Sequence, residues 1–247
     1  MSDSKKIAII LHVYWIDTWG FFRKKLENLK TPFDLYITLC DEVPDISNKI
    51  LDSFPNAIIY KYPNKGTDIG PFLLTFKKLR DRDYDYLIKL HAKKSENFAG
   101  DGYNGPPWKQ REEGLLWRKH LVNALIASDK KLQKNISIFE NQPKYKMCGC
   151  EKWIISDNND VDTIHGDLKD LKDEYGSYQF VGGTMFMVDF KVFKELLTDE
   201  IIDEWYQQMP SGYKPDNTFT HTAERLLGKL IIDKGYKIKG VSCHDIR

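Results

Sequence analysis

The chain has 247 residues, 41% of them hydrophobic and 13% aromatic, which suits one large globular domain and excludes a disordered chain. Its 37 basic and 36 acidic residues leave a net charge of +1, so nothing electrostatic points to nucleic acid or an anionic membrane surface. The longest apolar runs fall far short of a membrane span, and four cysteines are too few for a disulfide scaffold. Ile7 to Val13 is nearly all apolar and β-rich, as in a strand buried on both faces. Nothing before it resembles a cleavage signal, so no secretory leader is expected. Trp19, Phe22, Leu26 and Leu29 recur at helical spacing, Pro32 ends that helix, and Phe33 to Leu39 reads as a second strand. A short helix from about Ser47 to Phe54 leads to a third strand, Ala57 to Tyr62. The next loop opens a helix at Thr67 or Asp68, with Pro71 tolerated in its first turn, and Asp85 to Leu90 is the fourth strand. Strands alternating with helices in this way predict an α/β domain with a mainly parallel sheet.

The second half is less regular. Glu96 to Glu113 contains three glycines and two prolines and reads as a long mobile loop. Leu115 to Leu132 predicts one helix, and Phe180 to Val188 one strand interrupted by Gly182 and Gly183. Two helices, a loop from Pro210 to Pro215, a helix from about Thr218 to Asp233 and a last strand, Tyr236 to Val241, complete the chain. The expectation is a single domain over 1–247. Its nucleotide-binding half spans about 6–95, a mobile loop 96–114, and an acceptor or catalytic half about 115–241.

Open α/β sheets bind ligands at the carboxyl ends of their strands. Here those ends bring His12, Tyr14 and Trp15, then Cys40 to Glu42, Asn64 to Asp68, and His91 to Ser95. His12 and Tyr14 are candidates to flank a nucleobase. Gly66 permits a positive φ or a close backbone approach, and Asp68 either caps its helix or accepts from a ribose hydroxyl or base N–H. No GxGxxG and no P-loop is present, so NAD enzymes and ordinary kinases lack their signature. Asp81, Asp83 and Asp85 alternate as in a cation site but precede the strand; Asp83 and Asp85, with His91, are weak metal candidates. On the helix from Thr218, one face is apolar, and His221, Glu224, Arg225 and Gly228 share the opposite side. That side is either a solvent face with an internal ion pair or a reactive edge. Trp108, Trp117 and Tyr103 are candidates to stack on sugar rings.

Six strings occur in one order: His12-Val-Tyr14, Pro32-Phe-Asp-Leu-Tyr36, Asn64-x-Gly66-x-Asp68-Ile-Gly-Pro-Phe72, Leu90-His-Ala-Lys-Lys-Ser95, Gly182-Gly-Thr-Met-Phe186 and His221-Thr-Ala-Glu-Arg225. Together they resemble the rhamnan synthesis protein F family of glycosyltransferases, over about Lys6 to Val241. The resemblance implies a GT-A-like fold and transfer of L-rhamnose from a UDP- or dTDP-linked donor to a saccharide or lipid-linked glycan. It also implies a cytoplasmic location, at the inner face of the membrane through the acceptor. Most GT-A enzymes end their fourth strand in Asp-x-Asp, which holds Mg or Mn against the diphosphate. Here His91-Ala-Lys93 stands there, so Lys93, with Lys94, His91 and Arg225, is expected to hold the diphosphate. Glu224, with His221 second, is the expected base, and Gly182 and Gly183 are expected beneath the sugar. A non-catalytic nucleotide-sugar or glycan-binding module, or a retaining or hydrolytic sugar-nucleotide enzyme, remain the alternatives.

Overall fold

The computed structural model describes residues 5–92, 107–156, 177–212 and 218–244, with 107–116 described by backbone only. Strands β1 (Ile7–Val13), β2 (Asp34–Cys40), β3 (Ile58–Tyr62) and β4 (Tyr86–His91) fall where the apolar runs predict. They are joined by helices α1 (Trp19–Glu27), α2 (Ser47–Ser53) and α3 (Ile69–Leu79). There follow α4 (Pro107–Ile126), α5 (Asp129–Asn141), β5 (Tyr145–Cys150), β6 (Ile154–Ser156), β7 (Gln179–Val181) and β8 (Phe186–Asp189). Three helices, α6 (Phe190–Leu196), α7 (Asp199–Gln208) and α8 (Phe219–Asp233), precede β9 (Lys237–Val241).

Seven strands form one sheet in the order β3-β2-β1-β4-β8-β5-β9, and β6 pairs with β7 apart from it. β1 to β4 are mutually parallel, while β8 runs antiparallel to both β4 and β5. The fold is therefore α/β, a Rossmann-like, mainly parallel sheet covered by helices on both faces. Alternation along β1 shows why both faces are apolar. Ile7, Ile9, Leu11 and Val13 pack with α1, α4 and α5, while Ala8 and Ile10 pack with α3, α6, α7 and α8. In the second layer Phe72, Phe76, Phe186, Phe190 and Phe193 are all buried, and each such side chain contributes about 1.5–3 kcal/mol. The four cysteines are buried and unpaired, and burial pushes the Cys148 and Cys150 thiols up to about 12, as suits packing groups rather than nucleophiles.

Three expectations need correction. Helix α4 already runs from Pro107, so the loop expected over 96–114 does not reach Glu113; the rest of it lies outside the described residues. The single helix expected over 115–132 is two. Ser128 takes an extended backbone and accepts from Lys131 N at 3.3 Å, which starts α5 afresh. The single strand expected over 180–188 is also two. Gly183 (φ +82°) and Thr184 (φ +50°) both enter the left-handed region and turn the chain, so β7 and β8 lie in different sheets.

Gly228 fits α8 against β7 directly. A Cβ there would run into the Gln179 carbonyl oxygen and stand 2.5 Å from Phe180 Cα. Alanine in place of glycine favours a helix by about 1 kcal/mol, whereas displacing a packed strand costs about 1–3 kcal/mol. Gly228→Ala is therefore expected to lower the unfolding free energy in urea, by up to about 2 kcal/mol. A stabilised variant would mean that helix propensity, not the β7 contact, governs this position.

Candidate functional site

The strand order reverses between β1 and β4, and in open α/β sheets the crevice that takes the ligand lies at such a switch point, by the strands' carboxyl ends. The pleat aims particular side chains into it. Register pairs Ile10 with Lys89, His12 with His91, and His12 with Thr38. Lys89 and His91 are two residues apart on β4, and His12 and Thr38 stand on the same face of neighbouring strands. Four polar side chains thus share one face at the carboxyl ends of these strands, beyond the apolar Ala8, Ile10 and Leu87.

Asp68, from the start of α3, meets this group. It does not cap its helix, which corrects the capping expectation. Its Oδ2 instead accepts a short hydrogen bond from Lys89 Nζ and another from Thr184 Oγ1 at 2.6 Å. Lys89 Nζ also donates to Thr184 Oγ1 at 2.9 Å and to its carbonyl at 3.0 Å, so all three ammonium hydrogens are used. Burial alone would raise the Asp68 carboxyl. The charges of His91 and Lys89, with the hydrogen bonds from Lys89 and Thr184, outweigh it and hold the group well below the usual carboxylate range. Burial pulls the Lys89 ammonium below its ordinary value, against Asp68 and Glu224, which pull it back up.

The turn between β7 and β8 is held by this cluster. His91 Nε2 donates to the Gly183 carbonyl at 2.8 Å, and Gly183 N–H donates to Glu224 Oε1 at 2.6 Å. Lys89 grips Thr184 beside them. A non-glycine residue at φ +50° is strained by about 1–3 kcal/mol, and such strain persists only where the surroundings enforce it. His12 closes the group. It is 6% exposed, and its Nδ1 shares a 2.9 Å hydrogen bond with Thr38 Oγ1. Burial lowers its pKa to about 4, with Asp68 opposing and Lys89 assisting, so the ring is neutral near pH 7.

The crevice therefore assembles five residues predicted from sequence (His12, Asp68, His91, Gly183 and Glu224) and adds Lys89, Thr38 and Thr184. Others sit elsewhere. Asn64 Nδ2 donates to Glu42 at 2.9 Å, and the N–H of Gly66 donates to the Pro210 carbonyl at 2.9 Å. Gly66 does adopt a positive φ, but the space a Cβ would fill is taken by Met209. Tyr14 is half-buried edge-on to Trp15, with ring centroids 5.2 Å apart. A Cβ at Gly182 would stand 2.8 Å from Ile155, and one at Gly183 2.7 Å from Leu121 and 3.0 Å from Trp117. Protein side chains stand where a Cβ at either glycine would point. Trp117 itself packs on Trp153, their ring centroids 5.0 Å apart, instead of standing open for a sugar ring.

His221 Nδ1 lies 3.2 Å from Thr218 Oγ1 in the first turn of α8. Arg225 is buried over Phe180, and none of the described residues from Thr218 to Ile232 on α8 is exposed, so the solvent-face reading of this helix does not hold. Asp83 and Asp85 stand at the amino end of β4, engaged by Lys6 at 2.7 and 3.0 Å, a strand's length from the crevice. Lys93, Lys94, Tyr103 and the side chain of Trp108 lie outside the described residues.

Among the described residues, the side chains of the crevice are not arranged to hold a divalent cation. Asp68 Oδ2 is committed to an ammonium and a hydroxyl, one oxygen of Glu224 to a backbone N–H, and a metal there would face Lys89. Among the described residues, no three His, Cys, Asp or Glu side chains gather to hold an ion. Among the described residues too, no helix is long and apolar enough to cross a membrane.

Residues 1–236 match the family described as "Rhamnan synthesis protein F". Two similar sequences, each described as "Uncharacterized protein WxcX", come from two strains of Xanthomonas campestris pv. campestris. Each is 22% identical over 245 residues, covering 96% of this chain and 33% of the relative. The chain thus spans about a third of the length of these curated relatives. A crystal structure of 4-diphosphocytidyl-2C-methyl-D-erythritol synthase aligns over 94% of this chain and 100% of its own, at 10% identity and a TM-score of 0.37. That score is too low to bear on fold or function.

Proposed function

This chain belongs to the rhamnan synthesis protein F family, and from that membership and the crevice we propose a glycosyltransferase domain acting in surface glycan synthesis. The donor is a nucleoside-diphosphate sugar, UDP- or dTDP-linked L-rhamnose, and the acceptor is a saccharide or lipid-linked glycan. Transfer inverts the anomeric centre by direct displacement. The acceptor oxygen forms its bond to the anomeric carbon as the bond to the diphosphate breaks, and the acceptor's proton goes to Glu224.

One observation carries this reading. A half-buried carboxylate stands at the switch-point crevice with Oε1 fixed by the Gly183 N–H. Among the described residues Oε2 makes no hydrogen bond. A base must be held in one orientation and still keep an oxygen for the incoming hydroxyl, and this arrangement provides both. Lys89, whose charge Asp68 already matches, holds the Gly183–Thr184 turn through its two hydrogen bonds to Thr184. His91 holds the turn that holds Glu224 and is assigned to positioning, not to the phosphates.

Glu224→Gln keeps the shape and the acceptance from Gly183 N–H while removing the basic oxygen. Donor binding measured by calorimetry is expected to stay within about threefold, while transfer to acceptor falls about a hundredfold or more. Undiminished turnover would sink Glu224 as the base. Donor binding is further expected to survive EDTA, because no step runs through a metal; binding lost to EDTA and restored by Mg or Mn would overturn that.

A further inference from the structure

We infer that Arg225 is the receptor for a phosphoryl oxyanion, the diphosphate of the donor, which rests on the donor reading above. Arg225 follows Glu224 on α8 and is 7% exposed, its guanidinium lying 5.9 Å from the centre of the Phe180 ring. Among the described residues it meets no carboxylate and makes no hydrogen bond, and its Nε is wholly enclosed without a partner. A guanidinium stays charged at any ordinary pH and carries five donors, so a folded protein does not leave one buried and unpaired without reason. Lys89, buried as deeply, has Asp68. Arg225 has a ring face beneath it and, among the described residues, no carboxylate to neutralise it.

The chemistry of the missing partner follows from the side chain. A flat guanidinium laid over an aromatic ring keeps its donor edge for a two-pronged acceptor, and phosphoryl oxygens fit that fork. The location agrees. Phe180 is three residues before Gly183, whose N–H fixes Glu224, and three residues span roughly 10 Å at most. Cation and base thus border one short segment, a separation suited to a sugar diphosphate with its anomeric end at Glu224 and its phosphoryl end at Arg225.

The test uses the full chain with inorganic pyrophosphate, UDP and dTDP as probes, read by calorimetry and thermal unfolding. Pyrophosphate is expected to bind the wild-type protein and raise its melting temperature. Arg225→Met without ligand is expected to melt at or above the wild-type temperature, because an unpaired charge has been removed. Its pyrophosphate affinity is expected to fall at least tenfold, and the pyrophosphate-induced shift to vanish. A less stable Arg225→Met with unchanged pyrophosphate affinity would overturn the inference, as would a wild-type protein that does not bind pyrophosphate at all. Should Arg225→Met fail to fold, Arg225→Lys carries the test, with affinity expected severalfold weaker; equal affinity overturns the inference. Pyrophosphate bound through Arg225, with neither nucleotide bound, would remove the donor reading and keep the anion site. Nucleotides bound equally by wild type and Arg225→Met would remove the anion site and keep the donor reading.

Discussion

Lys89→Met is expected to lower the unfolding free energy by about 3–5 kcal/mol, the usual result of stripping one partner from a buried ion pair. Lys89 is 1% exposed and its partner Asp68 has a side chain 17% exposed, so solvent offers the stranded carboxylate little relief. The same ammonium makes two hydrogen bonds to Thr184, which sits at φ +50°. Without them the turn can relax toward ordinary φ, and Gly183 loses its fixed relation to Glu224. The measurement is urea unfolding of Lys89→Met, Asp68→Asn and the double variant. Because the two residues share one interaction, the double variant is expected to lose less than the sum of the singles, with coupling of about 1–3 kcal/mol. Additive losses, or a Lys89→Met loss below about 1 kcal/mol, would show that the pair behaves like a surface ion pair.

Lys89 also shows where sequence reading stops. The strand Tyr86 to His91 is plain from its apolar run, and the run hides the lysine within it. The readable signal was the alternation of Leu87, Lys89 and His91 on one face, because a lysine in a strand buried on both sides requires a partner. Asp68 was singled out, as a helix cap or a ligand contact, but short-range pattern does not reach its real partner, 21 residues away. The turn at Gly183 and Thr184 was equally opaque. Phe180 to Val188 reads as one strand by composition, and only the pairing of β8 with β4 and β5 pulls its second half into the main sheet. The first four strands were legible for the opposite reason. β1, β2 and β4 lie buried and β3 runs parallel to β2 at the sheet edge, each with its apolar run bounded by polar or turn residues, so local pattern and global position agree.

His12 sets the pH range in which this crevice is stable. Its pKa is about 4 in the folded chain against 6.5 for an ordinary histidine. Between those values the unfolded chain carries a proton on His12 that the folded chain does not. The unfolded state binds more protons, so stability rises with pH across that window and falls on acidification. A gap of about 2.5 pH, at about 1.4 kcal/mol for each, amounts to about 3 kcal/mol lost between pH 7 and pH 4. Asp68 acts in a different window. Its carboxyl is depressed in the fold, so the stability it contributes is fully present above an unfolded value of about 3.9 and is lost only as the pH falls below that. The two contributions therefore follow one another as the solution is acidified. His12→Asn keeps an amide near the position of Nδ1, where it can still bond Thr38, and removes the titration. Urea unfolding of both proteins from pH 7 to pH 4 is expected to give curves whose difference changes by about 3 kcal/mol. Parallel curves would mean that His12 takes up its proton within the fold, with the Asp68 carboxylate outweighing burial and the Lys89 charge.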